Sequence, residues 1–188
     1  MSAFAPLPQA KFGVILADPP WRFVTRSAKG EGKSPQLHYK CLPLDEIAAL
    51  PVASVAARDC ALFLWATWPT IRQAFDLLDA WGFGYSGLAW EWAKYNGQTD
   101  RYAFGGGYGT RKNVEPCLLA TRGRPKRRAN GVRDLLFAKR RAHSQKPDEQ
   151  YERCQKLYAG PYLELFARQA WPGWTAWGNQ VGKFGGAA

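Results

Sequence analysis

Short apolar runs, each closed by proline, glycine or a charged cluster, alternate with stretches whose apolar residues recur every three to four positions. The first run, Phe12 to Ala17 (FGVILA), is unbroken by polar residues and stops at Asp18-Pro19-Pro20. Such a run marks a strand buried on both faces, and two prolines cannot continue a central strand. The pattern predicts a parallel strand whose carboxyl end carries a rigid polar loop. Residues 24–38 are polar and rich in Gly and Lys, and read as a mobile loop. Pro43 to Ile47 reads as the entry to a short helix, with Asp45 and Glu46 in its first turn. Ala61 to Ala66 is a second buried strand. From Pro69 to Trp81 the residues Ile71, Ala74, Phe75, Leu78 and Trp81 recur at helical spacing, and Gly82 closes that helix.

The second half continues the alternation. Leu88 to Lys94 reads as a strand and residues 96–113 as a Gly-rich loop. Val114 to Thr121 (VEPCLLAT) reads as a strand entered through a proline, which points to a sheet edge or an irregular start. Asp134 to Ala138 fits a short strand or a helical turn. Pro147 to Tyr158 reads as a helix with proline and acids at its start, and Tyr162 to Ala167 and Gly173 to Trp177 as the last two strands. Strands alternating with helices predict a three-layer α/β domain around a mainly parallel sheet. That single domain is expected to occupy residues 1–181, with 182–188 a flexible tail.

Composition narrows the class. With 188 residues, 46% hydrophobic and 22% charged, the chain suits one compact domain. The longest apolar run, Cys60 to Ala66, is far too short to span a bilayer, and the N-terminus lacks a signal-peptide pattern. A soluble, cytoplasmic protein is expected. Cys41, Cys60, Cys117 and Cys154 form no C-x-x-C pair, and His38 and His143 are the only histidines. We therefore expect reduced thiols and no metal site.

Charge changes the picture more. The formal net charge is +11, and 12 basic residues face 4 acidic ones between Arg122 and Lys156. Arg124, Lys126, Arg127 and Arg128 form one cluster; Lys139, Arg140 and Arg141 form another. Like-charge runs are often plain solvated faces. The functional alternative is a phosphate-binding rim on a nucleic-acid substrate, because clustered Arg and Lys gain affinity by releasing condensed counterions.

Candidate chemistry sits at Asp18-Pro19-Pro20-Trp21, beyond the carboxyl end of a predicted parallel strand, where open α/β sheets bind ligands. A carboxylate and the Pro19 carbonyl accept hydrogen bonds, two prolines hold them in place, and Trp21 is expected as an exposed stacking face. The group suits a planar ring bearing an amino group, such as a flipped-out adenine, although a Pro-Pro turn can also be plain punctuation.

The segment VILADPPWRF resembles the catalytic motif of S-adenosylmethionine-dependent N6-adenine methyltransferases. It is most similar to the family of the eukaryotic mRNA adenosine methyltransferase catalytic subunit, with its bacterial and phage relatives. HYKCLPLDEI (38–47), ALFLWAT (61–67), LAWEWAK (88–94), YGTRKNVEPCLLATRG (108–123), AHSQKPDEQYE (142–152) and YLELFAR…GWTAWGNQV (162–181) resemble further family segments in the same order. The resemblance covers nearly the whole chain and implies a Rossmann-like methyltransferase fold, circularly permuted so that the catalytic motif precedes the cofactor elements. It implies S-adenosylmethionine as cofactor and no metal.

Carried over residue by residue, Asp18 and the Pro19 carbonyl would hold the adenine amino group, and Pro20 and Trp21 would wall the base pocket. Lys146 would meet the cofactor's methionine carboxylate, while Arg168, Asn179 and Gln180 would bind its ribose and adenine. Tyr39 and Glu115 match positions on the substrate side. Read without the family, Glu115 could instead neutralise Arg111 or Lys112, and Lys146 and Arg168 could be surface groups. Where the family has a polar pair after the Arg168 position, this chain has Gln169-Ala170-Trp171. DNA is the expected substrate, RNA the alternative, and a catalytically silent nucleic-acid-binding subunit the reading from another class. Monomer and homodimer are both open. Phe104 to Gly109 mimics a glycine-rich cofactor loop but follows no apolar strand.

Overall fold

The computed structural model describes residues 5–21, 41–97, 102–103, 105 and 109–185. The predicted loop at 24–38, Tyr39 and most of the 104–109 glycine cluster lie outside the described residues. Seven strands form one sheet in the order β5-β3-β4-β2-β1-β6-β7. They are β1 (Phe12–Ala17), β2 (Ala56–Trp65), β3 (Gly84–Tyr95), β4 (Val114–Arg122), β5 (Leu135–Lys139), β6 (Tyr162–Leu165) and β7 (Trp174–Trp177). Among the described residues four helices accompany them: α1 (Leu44–Ala48), α2 (Val52–Val55), α3 (Ile71–Ala80) and α4 (Glu149–Leu157). A short 3-10 turn, Trp68–Thr70, leads into α3.

The apolar runs form the sheet because side chains alternate between its two faces. Ile15, Ala17, Leu62, Leu64, Leu163 and Leu165 point to one face, which packs against Ile47, Val52, Val55, Ala74, Leu77 and Leu78 of α1, α2 and α3. Val14, Leu16, Ala61, Phe63, Trp65, Trp90 and Trp92 point to the other, where Tyr151 and Cys154 of α4 cover them. The result is the expected three-layer α/β architecture, consistent with a Rossmann-like methyltransferase fold. Strand β1 pairs in parallel with both β2 and β6, which is why its sequence is apolar on both faces.

Of the two readings of β4, a sheet edge or an irregular start, the structure excludes the edge. It is antiparallel to β2 on one side and to β3 on the other, inside the sheet. Pro116 is tolerated there for a local reason. The β2 ladder stops at Trp65↔Cys117, and the Pro116 carbonyl accepts the Ala66 N–H at 3.0 Å just beyond it. A residue's N–H and C=O point the same way from an extended strand, so the missing donor faces the end of β2 rather than a ladder partner.

Other boundaries shift modestly. Strand β2 begins at Ala56, five residues before the predicted start at Ala61; Arg58 and Asp59 lie exposed at the amino edge, and Asp59 Oδ1 accepts the Arg124 N–H at 2.7 Å. Strand β3 likewise starts at Gly84. The 134–138 segment resolves as strand β5 (Leu135–Lys139) rather than a helical turn, and α2 is an element that periodicity did not announce. Phe75, on the predicted apolar stripe of α3, lies outside the core and packs edge-on to Tyr85 with centroids 5.0 Å apart. Trp174 and Trp177 are buried packing residues. In the expected tail, residues 181–184 make a turn whose Phe184 N–H donates to the Arg168 carbonyl at 3.1 Å.

The turn after β7 is held against the end of β6. The Ala167 N–H donates to the Trp177 carbonyl at 2.9 Å, and a Cβ on Gly178 would stand 2.6 Å from the Ala167 carbonyl oxygen and 2.8 Å from its nitrogen. Both obstacles are backbone and cannot swing aside. Gly178→Ala is therefore expected to destabilise the fold by about 1–3 kcal/mol, read from the urea midpoint; an unshifted midpoint would show that the two turns are not in contact.

Candidate active site

Strands β1, β2, β3, β5, β6 and β7 run in one direction. Their carboxyl ends share one edge of the sheet, where the residues that follow them can converge. Asp18 leaves β1 at that edge, Lys94 ends β3, and Phe166 to Arg168 follow β6. Antiparallel β4 presents its amino end there instead, which brings in Glu115.

These charges form a chain. The Lys146 ammonium donates to Asp18 Oδ2 at 2.8 Å and lies 3.1 Å from Glu115 Oε1. Lys94 holds the other Glu115 oxygen, and Arg168 Nη1 stands 3.9 Å from Asp18 Oδ2. Lys146 also sits 5.3 Å above the Trp65 ring. With only 8% of its side chain exposed, it is a core cation rather than a surface lysine. Burial alone would raise the Glu115 carboxyl, but Lys146 and Lys94 outweigh it and hold the group down at about 2. Burial alone would lower the Lys146 ammonium; Asp18 and Glu115 reverse this and keep it firmly charged. The partners of Glu115 are thus Lys94 and Lys146 and not Arg111 or Lys112.

Lys146 arrives by local bracing. Arg141 makes paired hydrogen bonds to the Asp148 carboxylate, at 2.7 and 2.6 Å, and donates to the Lys146 carbonyl at 2.6 Å. Arg141, expected on the substrate phosphate, here directs its guanidinium to the loop that carries Lys146. Beside that loop a cleft is lined by Asp18, Ser144, Lys146, Glu164, Phe166 and Arg168, among others. Arg168 Nη1 donates to the Ser144 carbonyl at 3.1 Å. Ser144 and Phe166 both adopt left-handed backbone, at φ 62° and 61°. Non-glycine residues held there are strained, and such strain gathers at binding sites.

Glu164 is the residue that sequence reasoning missed most clearly. It is 8% exposed on β6 and accepts the Tyr151 hydroxyl at 2.9 Å. Burial pushes its carboxyl up to about 8, further helped by the Asp18 charge. Glu164 is therefore mostly neutral at pH 7. Beside it, the carboxylates Asp18 and Glu115 face three basic side chains, Lys94, Lys146 and Arg168, so the cluster as a whole is basic. A lone carboxylate inside the apolar run YLELF was the available signal; Lys94, at the end of a buried strand, was another.

Trp21 departs from the expected exposed stacking face. It is 5% exposed and its indole N–H donates to the Trp65 carbonyl at 3.0 Å. The Trp21 N–H donates to the Pro19 carbonyl at 2.8 Å, and this tight turn tucks the ring into the core. Pro19 and Pro20 are buried with it. The Pro19 carbonyl keeps its second lone pair.

Asn179 and Gln180 follow β7 at the same sheet edge, beside the Phe166–Arg168 turn, with Asn179 exposed and Gln180 half-buried. The basic segment divides. Lys139 and Arg140 are exposed at the carboxyl end of β5, on the site's edge of the sheet. Arg124, Lys126, Arg127 and Arg128 are exposed too, but they follow the carboxyl end of antiparallel β4. They lie at the opposite edge, about 25–30 Å away over the length of that strand, and do not converge with Asp18. Among the described residues there is no group of three or more His, Cys, Asp and Glu able to hold a metal, and no helix is long and apolar enough to cross a membrane.

The MT-A70 family model matches residues 12–180, a span that contains every member of this charged chain. The chain belongs to the MT-A70 family. Over 196 aligned positions it is 34% identical to the type II methyltransferase M.MunI of Mycoplasma sp., covering 95% of this chain and 81% of that protein. It is 32% identical over 177 residues to the N(6)-adenosine-methyltransferase catalytic subunit METTL3 of Homo sapiens, covering 91% of this chain but 28% of that protein. The N(6)-adenosine-methyltransferase MT-A70-like protein of Arabidopsis thaliana is 33% identical, with 90% and 24% covered. The chain thus spans about a quarter of the eukaryotic MT-A70 relatives it matches.

The Glu164 environment gives a pH prediction. An ordinary glutamate ionises near 4.5 and the folded one near 8. The folded group is raised, so its contribution is full below 4.5 and is lost as pH climbs through about 8. Glu164→Gln keeps an acceptor for Tyr151 and cannot ionise. Thermal midpoints across pH 5–8.5 (about half-unit steps) are expected to fall less steeply in the variant than in the parent; parallel curves would show that Glu164 does not carry this titration.

Proposed function

We propose that the protein transfers a methyl group from S-adenosylmethionine to the exocyclic N6 of adenine in DNA. The observation that carries this reading is the Asp18 carboxylate, fixed by Pro19 and Pro20 at the end of β1 and flanked by Lys146 and Arg168. The donor set fits the cofactor. Lys146 is a desolvated cation suited to a carboxylate, Arg168 and the amides of Asn179 and Gln180 suit hydroxyls and ring nitrogens, and Phe166 offers an apolar wall. When bound, S-adenosylmethionine supplies a methyl carbon activated by its positive sulfur.

The protein's own part is hydrogen bonding and placement. Adenine's amino lone pair is delocalised into the ring, which makes it a poor nucleophile. Both cations approach Asp18 at Oδ2, so Oδ1 is the oxygen assigned to one amino hydrogen, with the Pro19 carbonyl taking the other. Two acceptors favour a pyramidal nitrogen and aim its lone pair. The remainder is proximity. Asp18 need not be a strong base, because the proton leaves only after the nitrogen has become cationic. Tyr39 and Glu115 are assigned to the substrate side, and Glu115 also holds Lys94 and Lys146 in place.

DNA is preferred because the overlap with the type II methyltransferase takes in most of both chains. RNA is the second reading, favoured by the adenosine methyltransferases among the relatives. The test uses purified protein, S-adenosylmethionine and matched single-stranded DNA, duplex DNA and RNA, with products digested to nucleosides and weighed by mass spectrometry. N6-methyladenine is expected in DNA, and Asp18→Ala is expected to lower it about a hundredfold or more while retaining nucleic-acid binding. Product in RNA alone would move the substrate to RNA. Unaltered product from Asp18→Ala would remove Asp18 from the mechanism.

A further inference from the structure

Large hydrophobic side chains are exposed at the β5 edge of the sheet. Leu135 is 58% exposed, Phe137 51% and Tyr102 55%. Alternation along β5 explains the first two: Leu136 and Ala138 point into the core beneath α4, so Leu135, Phe137 and Lys139 point out of the opposite face. The rings there are ordered. Tyr95 stacks on Phe137 with centroids 4.7 Å apart and planes 21° apart, and Tyr102 meets the edge of Phe137 at 6.0 Å and 76°. A bridge between Tyr95 and Tyr102, and the Ala103 N–H donating to the Lys94 carbonyl at 2.8 Å, fix Tyr102 in this position.

The patch has a charge signature and a place. Lys139 pairs with Tyr95 at the carboxyl end of β5, and Arg140 follows it, both exposed. At the far end of the patch Glu91, opposite Leu135, is held by the Trp68 indole N–H at 3.0 Å, so the basic side faces the candidate active site. Strand β5 lies four strands from β1. At about 4.8 Å per strand this is roughly 19 Å from Asp18, within reach of one short stretch of an extended polymer. Lys94, next to Tyr95, joins the patch to Glu115 and the charged chain.

We propose that Tyr95, Tyr102 and Phe137, with Lys139 and Arg140, form a stacking site for unpaired bases flanking the target adenine. Aromatic faces beside cations bind single strands because every base has a π-face and every linkage a phosphate. A duplex hides its base faces, so the site selects single-stranded or locally opened substrate. A second copy of this chain is the poorer occupant, since each copy carries a formal charge of +11. The inference rests on the nucleic-acid reading of the active site, while its test reads binding instead of methyl transfer.

The experiment measures fluorescence anisotropy of a labelled oligodeoxyadenylate, single-stranded and annealed to its complement, over a range of salt. Phe137→Ala and Tyr102→Ala are expected to weaken single-strand binding about tenfold each, with duplex binding little changed and the salt slope preserved. Phe137→Trp is expected to retain affinity. Lys139→Ala with Arg140→Ala is expected to flatten the salt slope. Single-strand affinity unmoved by Phe137→Ala would overturn the proposal. So would sedimentation showing a dimer that Phe137→Ala converts to monomer, which would give the patch to a second copy. Methylation assays on the parent and the same variants separate the two claims: single-strand affinity unmoved by Phe137→Ala in a protein that methylates adenine overturns this inference alone, and a parent that binds single strands through Phe137 but methylates nothing overturns the methyl-transfer reading alone.

Discussion

The candidate site depends on one ammonium group. Lys146 reaches Asp18 at 2.8 Å and Glu115 at 3.1 Å from a position almost without solvent, and three chain segments far apart in sequence meet on it. Two carboxylates at such separation repel each other strongly in a low-dielectric interior, and a buried cation is costly alone. Neither arrangement is stable without the other. Removing one partner of a buried pair typically costs about 3–5 kcal/mol, so the cluster ties the end of β1 to the start of β4 and the loop before α4. The surrounding structure supplies what the cluster needs. Arg141 and Asp148 clamp the loop, the Trp65 ring lies under the ammonium, and Lys94 takes the second Glu115 oxygen.

The sheet topology makes this meeting possible. Six co-directional strands gather their carboxyl ends, and the antiparallel β4 threads through them so that its amino end reaches the same edge. Function is thereby concentrated at one edge, and the opposite edge keeps the Arg124–Arg128 cluster well away from it. Glu164 fits the same economy: a neutral carboxyl can sit beside Asp18 where a second ionised one could not. Basic side chains outnumber the carboxylates Asp18 and Glu115 in this cluster, which is the electrostatic condition for accepting an anionic group.

How much of this was legible from sequence follows the range of each interaction. Strand β1 and its Pro-Pro turn were plain, because an unbroken apolar run and two prolines act locally. Helix α3 was placed within two residues at each end by its spacing and its Gly82 stop. The interior position of β4 was hidden, since Pro116 is acceptable only because β2 ends beside it. Arg141 looked like one more member of a basic run, and nothing near it in sequence shows that Asp148 and the Lys146 carbonyl claim it. Trp21 was read as exposed, yet its indole finds the Trp65 carbonyl across 44 residues of chain. The ordered family segments put Asp18, Lys146 and Arg168 on one site, and the charged chain brings those three together. Lys94 and Glu164 join them only through the fold.

The account stands on Lys146 as the receiving group for a carboxylate-bearing ligand, and that claim has a direct measurement. Isothermal titration of S-adenosylhomocysteine, the demethylated cofactor, needs no nucleic acid and no turnover. The parent protein is expected to bind it. Lys146→Met, checked for retained fold by far-UV circular dichroism, is expected to lose at least about tenfold in affinity. Lys94→Met, which also strips Glu115 of a cation but leaves Lys146 in place, is expected to retain most of it. Equal affinity in the folded Lys146→Met protein and its parent would contradict the account.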